Sequence, residues 1–576
     1  MNNAQIASAL AEVAELLELK KESTFRIRAY ENAAKAVVDL TENVAVMAAQ
    51  EELTGIKGIG KGIAERIHEY VSTGRIAYLE ELRTEFPDGV REMLAVPGVG
   101  PTLARRVYLE LGVQSLDELR LAAEDGRLAS LSGLGEKSAH NVIRGLQRTS
   151  KKDSRLSIGT VVPVVDDLLA QLSARVAIEN LTAAGSFRRW APTIGDVDLI
   201  GTSDDPERVM DAFCTLPQVR DITGRGHTKS SIVTNDGLQV DLRIVPSESY
   251  GSLLQHFTGS QQHNIELREY ALQRGMSLNE YGIARVGEDG RRHFTDEGAF
   301  YAALGLPWIP PELRQAGGEI AAAERHELPN LVQTGDVRGD LHVHTDWSDG
   351  SESIEVMVQT ARARGYDYVA ITDHSGGIGV AHGLQEDRLR AQIDIVREID
   401  RSSPDIRVLC GTELDIRRDG TLDFANELLE ELDWVIASVH SGFNQSREDM
   451  TARIVRAIQN PHVHAIAHPT GRLINKREPY DVDLEQVFRA AAAHNTALEI
   501  NSWPERLDLT DTHVRRAIQM GVRIVINTDA HATANFENLR YGVAMARRGW
   551  ARAQDVLNTR TYEDLRIWLT SSSRAP

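Results

Sequence analysis

From Asp336 to the C-terminus the chain repeats one pattern, a short apolar run ending near histidine or carboxylate and then a helical stretch. The runs are YVAITD, VLCGTEL, WVIASVH, AIAHP, ALEIN and VRIVINTDA. Short strand-like runs separated by amphipathic stretches make βα units. Sustained over about 235 residues, that rhythm predicts an α/β barrel whose strand C-termini converge on one face. Side chains far apart in sequence then meet there. The pattern therefore predicts a fold and the location of its chemistry together.

With 576 residues, the chain exceeds what one apolar core can serve, and about three to five domains are expected. A hydrophobic content of 42% lets each bury an ordinary core. No apolar run approaches the ~18 residues of a membrane span. The opening MNNAQIASALAEVAELLELK is charged and amphipathic, unlike a signal peptide, so a cytoplasmic protein that binds no membrane is expected. Cys214 and Cys410 are the only cysteines, which excludes a disulfide framework or a thiolate zinc site and leaves histidine and carboxylate as metal ligands. A formal charge of −20 excludes nucleic-acid binding through overall charge, so any grip on a polyanion must be local.

Local devices are present in residues 1–150, which read as helical, with apolar periodicity in Ile6–Leu19, Ala33–Val46, Ile63–Val71, Leu103–Leu111 and Ala139–Leu146. The segments GIKGIGKGIAERI (55–67), AVPGVGPTLARRV (95–107) and LSGLGEKSAHNVI (131–143) share a Gly-x-Gly turn opening a helix. Their glycines are Gly58 and Gly60, Gly98 and Gly100, Gly133 and Gly135. Such a turn exposes backbone N–H groups at a helix N-terminus, a phosphate site that needs no net positive charge. Cations follow within two turns: Lys61 and Arg66, Arg105 and Arg106, Lys137 and Arg144. One copy can simply join two helices; three on one apolar frame point to sequence-independent contacts with DNA. With STFRIRAYENAA upstream, the first repeat resembles the N-terminal domain of family X DNA polymerases. In that family a Schiff-base lysine of this domain removes deoxyribose phosphate. Arg66 holds the matching position, and its guanidinium cannot form the imine, so the resemblance does not extend to lyase activity.

Residues 158–310 switch to mixed patterning: a helix over Thr160–Leu172, then the β-branched runs VDLIG (197–201) and LQVDLRIV (238–245). Asp196 and Asp198 are two apart on a strand and share a face; Asp241 joins them if its strand is a neighbour. Alone, D-x-D usually marks a solvated strand edge. The Gly185–Ser186 turn upstream and the third aspartate downstream make it specific. Three converging carboxylates repel one another, and two Mg²⁺ or Mn²⁺ ions roughly 3.5–4 Å apart would relieve this while activating a primer 3′-hydroxyl and steadying pyrophosphate. Asp241 would stand next to the attacking hydroxyl, while Gly185, Ser186 and Arg189 would hold a deoxynucleoside triphosphate. The order GSFRR, GDVD, DLR resembles the nucleotidyltransferase palm. Further on, HFTGSQQHNIELREYALQRGMSLNEYGI (256–283) resembles the thumb of family X polymerases, beyond what an amphipathic helix with one packed phenylalanine would require. The resemblance implies that Phe257 and Gly259 pack on the incoming sugar, Asn264 contacts the base and Arg268 the template minor groove. His256 replaces the tyrosine of the animal enzymes, which bears on sugar discrimination.

The C-terminal motifs DLHVHTDWSDG (340–350), ITDHS (371–375), GTELD (411–415), ASVHS (437–441), AHPTG (467–471) and NTDAH (527–531) resemble the polymerase and histidinol phosphatase (PHP) domain of bacterial family X polymerases. The candidate ligands are His342, His344, Asp349, His374, Glu413, His440, His468, Asp529 and His531. Such a mixed nitrogen and oxygen set could hold up to three ions and suits Mn²⁺, Zn²⁺ or Fe²⁺, metals that provide a nucleophile for phosphoester hydrolysis near neutral pH. Asp349 lies in a loop, and Asp373 is a competitor for the role of His374. A second HVH, at His462 and His464, precedes its strand and reads as structural; His326 and His382 read as surface histidines.

These readings combine into a multidomain α/β protein. Helical DNA-binding domains are expected over 1–85 and 86–155, a palm over 156–245, a thumb over 246–315, a polar linker over 316–335 and a barrel over 336–576. The resemblance implies a monomeric repair polymerase acting on gapped or primer-template DNA, with 3′–5′ exonuclease activity in the barrel. Three alternatives are weighed: a small-molecule phosphatase fused to a DNA-binding module, a non-catalytic repair scaffold, and a polymerase whose PHP domain is a structural brace, against which the complete ligand set argues.

Overall fold

Apolar periodicity becomes two contact units in the computed structural model: Met1–Arg155 with Leu267–Ser277 and Arg285–Glu288, and Leu156–Glu266 with Leu278–Ala284 and Asp289–Pro576. The structure describes every residue except 1–2, 40–43, 50–52, 57, 97–98, 129, 132–133, 135–141, 143–154, 288–289, 378–380 and 571–576.

The N-terminal part of the first unit is built from helices. Asn3–Lys20, Thr24–Asp39, Val44–Ala49, Lys61–Thr73 and Ala77–Thr84 surround Leu10, Val13, Leu17, Val37, Ile67 and Leu79. Pro101–Leu111 and Leu116–Glu124 close a second core on Val90, Met93, Val107 and Leu119. The single helical segment expected at Ala33–Val46 is shared between two helices, with 40–43 outside the described residues. Most of the segment Ala139–Leu146 also lies outside them.

In the second unit a five-stranded mixed sheet has the order Glu179–Ala183, Asp196–Thr202, Gln239–Ile244, Lys229–Thr234, Val219–Arg225. Helix Ile158–Arg175 covers it with Val161, Val165, Leu168 and Leu172, all fully buried. The C-terminal region is the expected barrel. Seven parallel strands stand in sequence order: Gly339–Val343, Tyr368–Ile371, Arg407–Asp415, Trp434–Ser438, Ala465–Ile466, Ala497–Asn501 and Ile524–Asn527. The first and last meet through a Val343–Ala530 bridge and the His344 N–H, which donates to the Ala530 carbonyl at 2.8 Å. Closure brings all the strand ends to one mouth.

The polar stretch 316–335, expected as a linker, is instead packed structure. It carries helix Glu319–Glu324, whose Glu319, Ile320, Ala322 and Ala323 are buried. Arg515 of the barrel donates to the Gly317 carbonyl at 2.8 Å, and the Val332 N–H donates to the Ala551 carbonyl at 3.0 Å. Composition misled here because Glu319 is polar yet buried. It accepts from the Gly317 N–H at 2.7 Å and pairs with buried His263 at 2.6 Å.

Candidate active sites

Strand Asp196–Thr202 runs parallel to Gln239–Ile244 with Asp198 directly opposite Asp241. Alternation then places Asp196, Asp198 and Asp241 on one face of the sheet. Burial, reinforced by the charge of Asp196, lifts the Asp198 carboxyl to about 6. Burial also pushes Asp241 up, but hydrogen bonds from Lys229 and Ser231 outweigh it and hold that carboxyl below its ordinary value. Lys229, 3.0 Å from Asp241 on the adjacent antiparallel strand, was not legible as a site residue.

Gly185 takes φ +62° at the start of the turn Gly185–Arg188, and a Cβ there would lie 3.7 Å from Asp198 Oδ2. The turn carrying Ser186 therefore abuts the carboxylate. Arg189 donates from Nη1 to the Thr258 carbonyl, and its own carbonyl accepts from Arg548 Nη1 at 2.7 Å. The next-door Arg188, half-buried, forms a double hydrogen bond to Glu297 at 2.8 and 2.7 Å. Phe257 sits under Arg243 at 4.6 Å and edge-on to His256 at 5.3 Å. Gly259, at φ +64°, faces Arg189. The Asn264 amide is tied within the protein, accepting from Gln255 at 2.9 Å and donating to the His256 carbonyl at 2.8 Å. Arg268 is half-buried on helix Gln261–Leu272.

Of the glycine turns, Gly58 has φ +104°, and Gly60 and Gly100 cap helices Lys61–Thr73 and Pro101–Leu111 without a side-chain hydrogen bond. The backbone donors of those helix starts are thus not taken by a cap. Lys61 is exposed, Arg105 half-buried, and Arg106 pairs with Glu110 at 2.7 Å. Arg66 stacks over Tyr78 at 4.0 Å. Gly98, Gly133, Gly135, Lys137 and Arg144 lie outside the described residues.

At the barrel mouth the nine candidate ligands come together. Three groups have ligand atoms all within 4.8 Å of one another: His344, Asp349, His374 and His531; His342, His344 and Asp529; His374, Glu413 and His440. Glu413 is central, 2.8 Å from His374, 3.1 Å from both His440 and His468, and 3.4 Å from His342. Asp349, though on a loop, reaches His531 at 3.3 Å and His374 at 3.4 Å. Asp373 turns away, accepting from Thr345 at 2.6 Å, Ser348 at 2.5 Å and Gln392 at 2.6 Å. His464 accepts from the Val435 N–H at 3.0 Å and stacks on Trp434, outside the three groups. His326 and His382 are exposed.

The charges fit metal. His342 Nε2, both ring nitrogens of His344, His374 Nδ1 and His468 Nδ1 are buried without a hydrogen-bond partner. Burial pushes His374 down, but Glu413 and Asp349 outweigh it and raise the imidazole to about 10. Burial, with His531 and His374 nearby, lowers His344 to about 3. Carboxylates that hold protons on neighbouring imidazoles offer the same charge to divalent cations. Glu499, which lies outside the sequence motifs, accepts from His342 Nδ1 at 2.8 Å and so turns Nε2 toward the cluster. Its partner Asn501 donates to Asp529 at 2.9 Å. A glutamate inside the buried parallel strand ALEIN was the available signal, since such strands are otherwise apolar.

Helix-hairpin-helix turns, a carboxylate-bearing mixed sheet and a histidine-rich barrel define a modular nucleic-acid enzyme. Models of a helix-hairpin-helix domain match residues 1–76, of a SAM-like helix-hairpin-helix tandem 90–148, of the DNA polymerase beta thumb 253–315, and of the PHP domain 340–502. The chain is 38% identical over 571 residues to the DNA polymerase/3′-5′ exonuclease PolX of Bacillus subtilis, covering 99% of both chains. The chain is also 28% identical over 232 residues to a probable phosphatase of a Thermoanaerobacter species, covering 38% of this chain and 89% of that one. It is also 31% identical over 219 residues to a probable phosphatase of Photobacterium profundum, covering 35% and 82%. The chain belongs to the bacterial PolX-like family X DNA polymerases that carry a C-terminal PHP domain. Among the described residues no helix is long and apolar enough to cross a membrane.

Proposed function

We propose that this chain fills short gaps during DNA repair as a DNA-directed DNA polymerase, and that its barrel trims 3′ ends as a 3′–5′ exonuclease. The observation that supports the first activity best is the register of Asp198 opposite Asp241 on one sheet face with Asp196. Asp196, Asp198 and Asp241 would hold two Mg²⁺ or Mn²⁺ ions, which when bound supply the positive charge for nucleotidyl transfer. Gly185 and Ser186 present the turn beside Asp198 to a deoxynucleoside triphosphate. Phe257, Gly259 and His256 border its sugar, and Lys229 holds the charge of Asp241. Arg189 reaches a triphosphate only by leaving the Thr258 carbonyl, and Asn264 a base only by leaving its internal bonds. Arg268 meets the template minor groove. Gly58, Gly60, Lys61, Gly98, Gly100, Arg105, Arg106, Gly133 and Gly135 contact phosphates of gapped or primer-template DNA.

In the barrel, His342, His344, Asp349, His374, Glu413, His440, His468, Asp529 and His531 would hold up to three Mn²⁺, Zn²⁺ or Fe²⁺ ions. When bound, these supply Lewis acidity and an activated water for phosphodiester hydrolysis. Glu499 and Asn501 orient the ligands. The enzyme acts as a cytoplasmic monomer without lyase activity, because Arg66 is stacked on Tyr78 and forms no imine. A primer-extension and degradation assay tests the assignment. Asp196→Ala with Asp198→Ala stops extension and leaves trimming, whereas His344→Ala does the reverse. Loss of both activities in either variant overturns it. The chain's partial likeness to probable phosphatases favours one second reading, hydrolysis of small phosphomonoesters in the barrel. Release of phosphate from such esters without shortening of DNA would select it.

A further inference from the structure

The loop after strand Ala497–Asn501 places a guanidinium beside the barrel cluster that none of the ligand motifs contains. Arg506 Nε lies 4.0 Å from Asp529 Oδ2, and its side chain keeps 20% exposure. Among the described residues this long contact is its only ion pair, and its guanidinium donates no hydrogen bond. The backbone around it is firmly held. The Arg506 N–H donates to the Trp503 carbonyl at 2.7 Å, Arg472 donates to the Arg506 carbonyl at 2.8 Å, and the Trp503 N–H donates to Asn501 Oδ1 at 3.0 Å. The Asn501 N–H reaches the Asp508 carbonyl at 2.6 Å and closes the loop base. Pro504 packs so tightly on Gly159 that a Cβ there would come within 2.3 Å. The Trp503 ring stands edge-on to His531 at 6.2 Å.

A cation on a rigid loop, partly exposed, next to a ligand carboxylate and lacking an acceptor is built to receive one from outside. Burial and then the charge of Arg506 lower Arg477, so two guanidinium charges stand near one another at this mouth.

We infer that Arg506 is a catalytic residue of the barrel that binds the non-bridging oxygens of the scissile phosphate. This rests on the phosphodiesterase reading above. In that reaction water oxygen adds to phosphorus, the P–O3′ bond breaks, the departing O3′ takes a proton, and a nucleoside 5′-monophosphate leaves. Negative charge grows on the non-bridging oxygens as water adds, and a fixed guanidinium stabilises it with no reorganisation. Carboxylates of the cluster cannot take that role, since they repel the same oxygens.

The test uses the full chain with Arg506→Ala and Arg506→Lys, their folding checked by the thermal transition. Arg506→Ala should lower kcat for removal of a 3′ nucleotide by about 10²–10³-fold, the cost of losing one such donor. Manganese content should stay at the wild-type level. Binding of a single-stranded oligonucleotide in EDTA, where no hydrolysis occurs, should weaken several-fold. Added guanidinium chloride at millimolar concentration should restore part of the rate to Arg506→Ala alone, and lysine should restore less than arginine. Wild-type kcat in Arg506→Ala, loss that follows falling manganese content, or unchanged oligonucleotide binding without guanidinium rescue each overturns the proposal. If wild type trims no DNA with Mn²⁺ or Zn²⁺, the phosphodiesterase reading fails instead. The EDTA binding comparison still reports on Arg506.

Discussion

Glu297 ties the turn Gly185–Arg188 to the end of the thumb, and its removal has a calculable consequence. Its carboxylate accepts from Arg188 at 2.8 and 2.7 Å, from Arg314 at 2.7 Å and from Trp308 at 3.2 Å. Burial raises its pKa, but the charge of Arg314 and the hydrogen bonds from both guanidiniums outweigh this and bring it down to about 2. Against the ordinary value of 4.5, that shift is worth about 3 kcal/mol at 1.36 kcal/mol per unit. Little solvent screening applies, because the side chain is 5% exposed. Breaking one partner of a buried ion cluster independently suggests about 3–5 kcal/mol, since fully buried Arg314 would lose its carboxylate and be left with the Ile309 carbonyl at 2.9 Å and the Tyr301 ring at 5.1 Å. Glu297→Ala should therefore lower the melting temperature of the second unit by about 4–6 °C. It should also raise KM for deoxynucleotides several-fold, because Arg188 adjoins Ser186 and Arg189. A depressed carboxylate stabilises fully above pH 4.5 and loses that contribution as pH falls toward about 2. The gap between wild type and variant should then be constant from pH 8 to 6 and narrow below 4.5. Calorimetry at several pH values, with primer extension, checks this. An unchanged melting temperature, or a gap that narrows between pH 8 and 6, would mean that the Glu297 carboxylate does not hold this ion cluster. Glu297→Met with Arg188→Met and Arg314→Met should recover much of the loss, since an apolar trio leaves no buried charge unmatched.

Asp198→Asn should abolish extension yet stabilise the metal-free protein at pH 8 by about 2 kcal/mol, after discounting partial exposure. With its pKa raised to about 6, Asp198 loses stability as pH rises through that value, so the gain should shrink toward pH 4 in melts with EDTA. Arg548→Ala removes the barrel's hold on the Arg189 carbonyl at 2.7 Å and its pairing with Asp511 at 2.6 Å. It should raise KM for deoxynucleotides with trimming unchanged, and equal losses in both activities would sink this coupling. At Gly251 a Cβ would stand 2.3 Å from the Asp296 carbonyl carbon, so Gly251→Ala should cost about 1–3 kcal/mol by overpacking, read from thermal denaturation.

The sequence alone determined what depends on local order. Period-two patterning identified the strands bearing Asp196, Asp198 and Asp241, and the apolar runs ending in His374, Glu413, His440 and His468 marked the barrel, because strand-end chemistry is written next to its strand. The first glycine turn was equally legible, since Gly58 needs a backbone conformation that other residues avoid. Tertiary structure decided which distant groups face one another. Only parallel pairing put Asp198 opposite Asp241, and only the adjacent antiparallel strand brought Lys229 to that carboxylate. Glu499, Asn501 and Arg506 gained their places from barrel closure, and the polar stretch 316–335 became packed structure because His263 and Arg515 met it. Burial and charge pairing belong to the neighbours a side chain acquires, and a linear pattern does not name those neighbours.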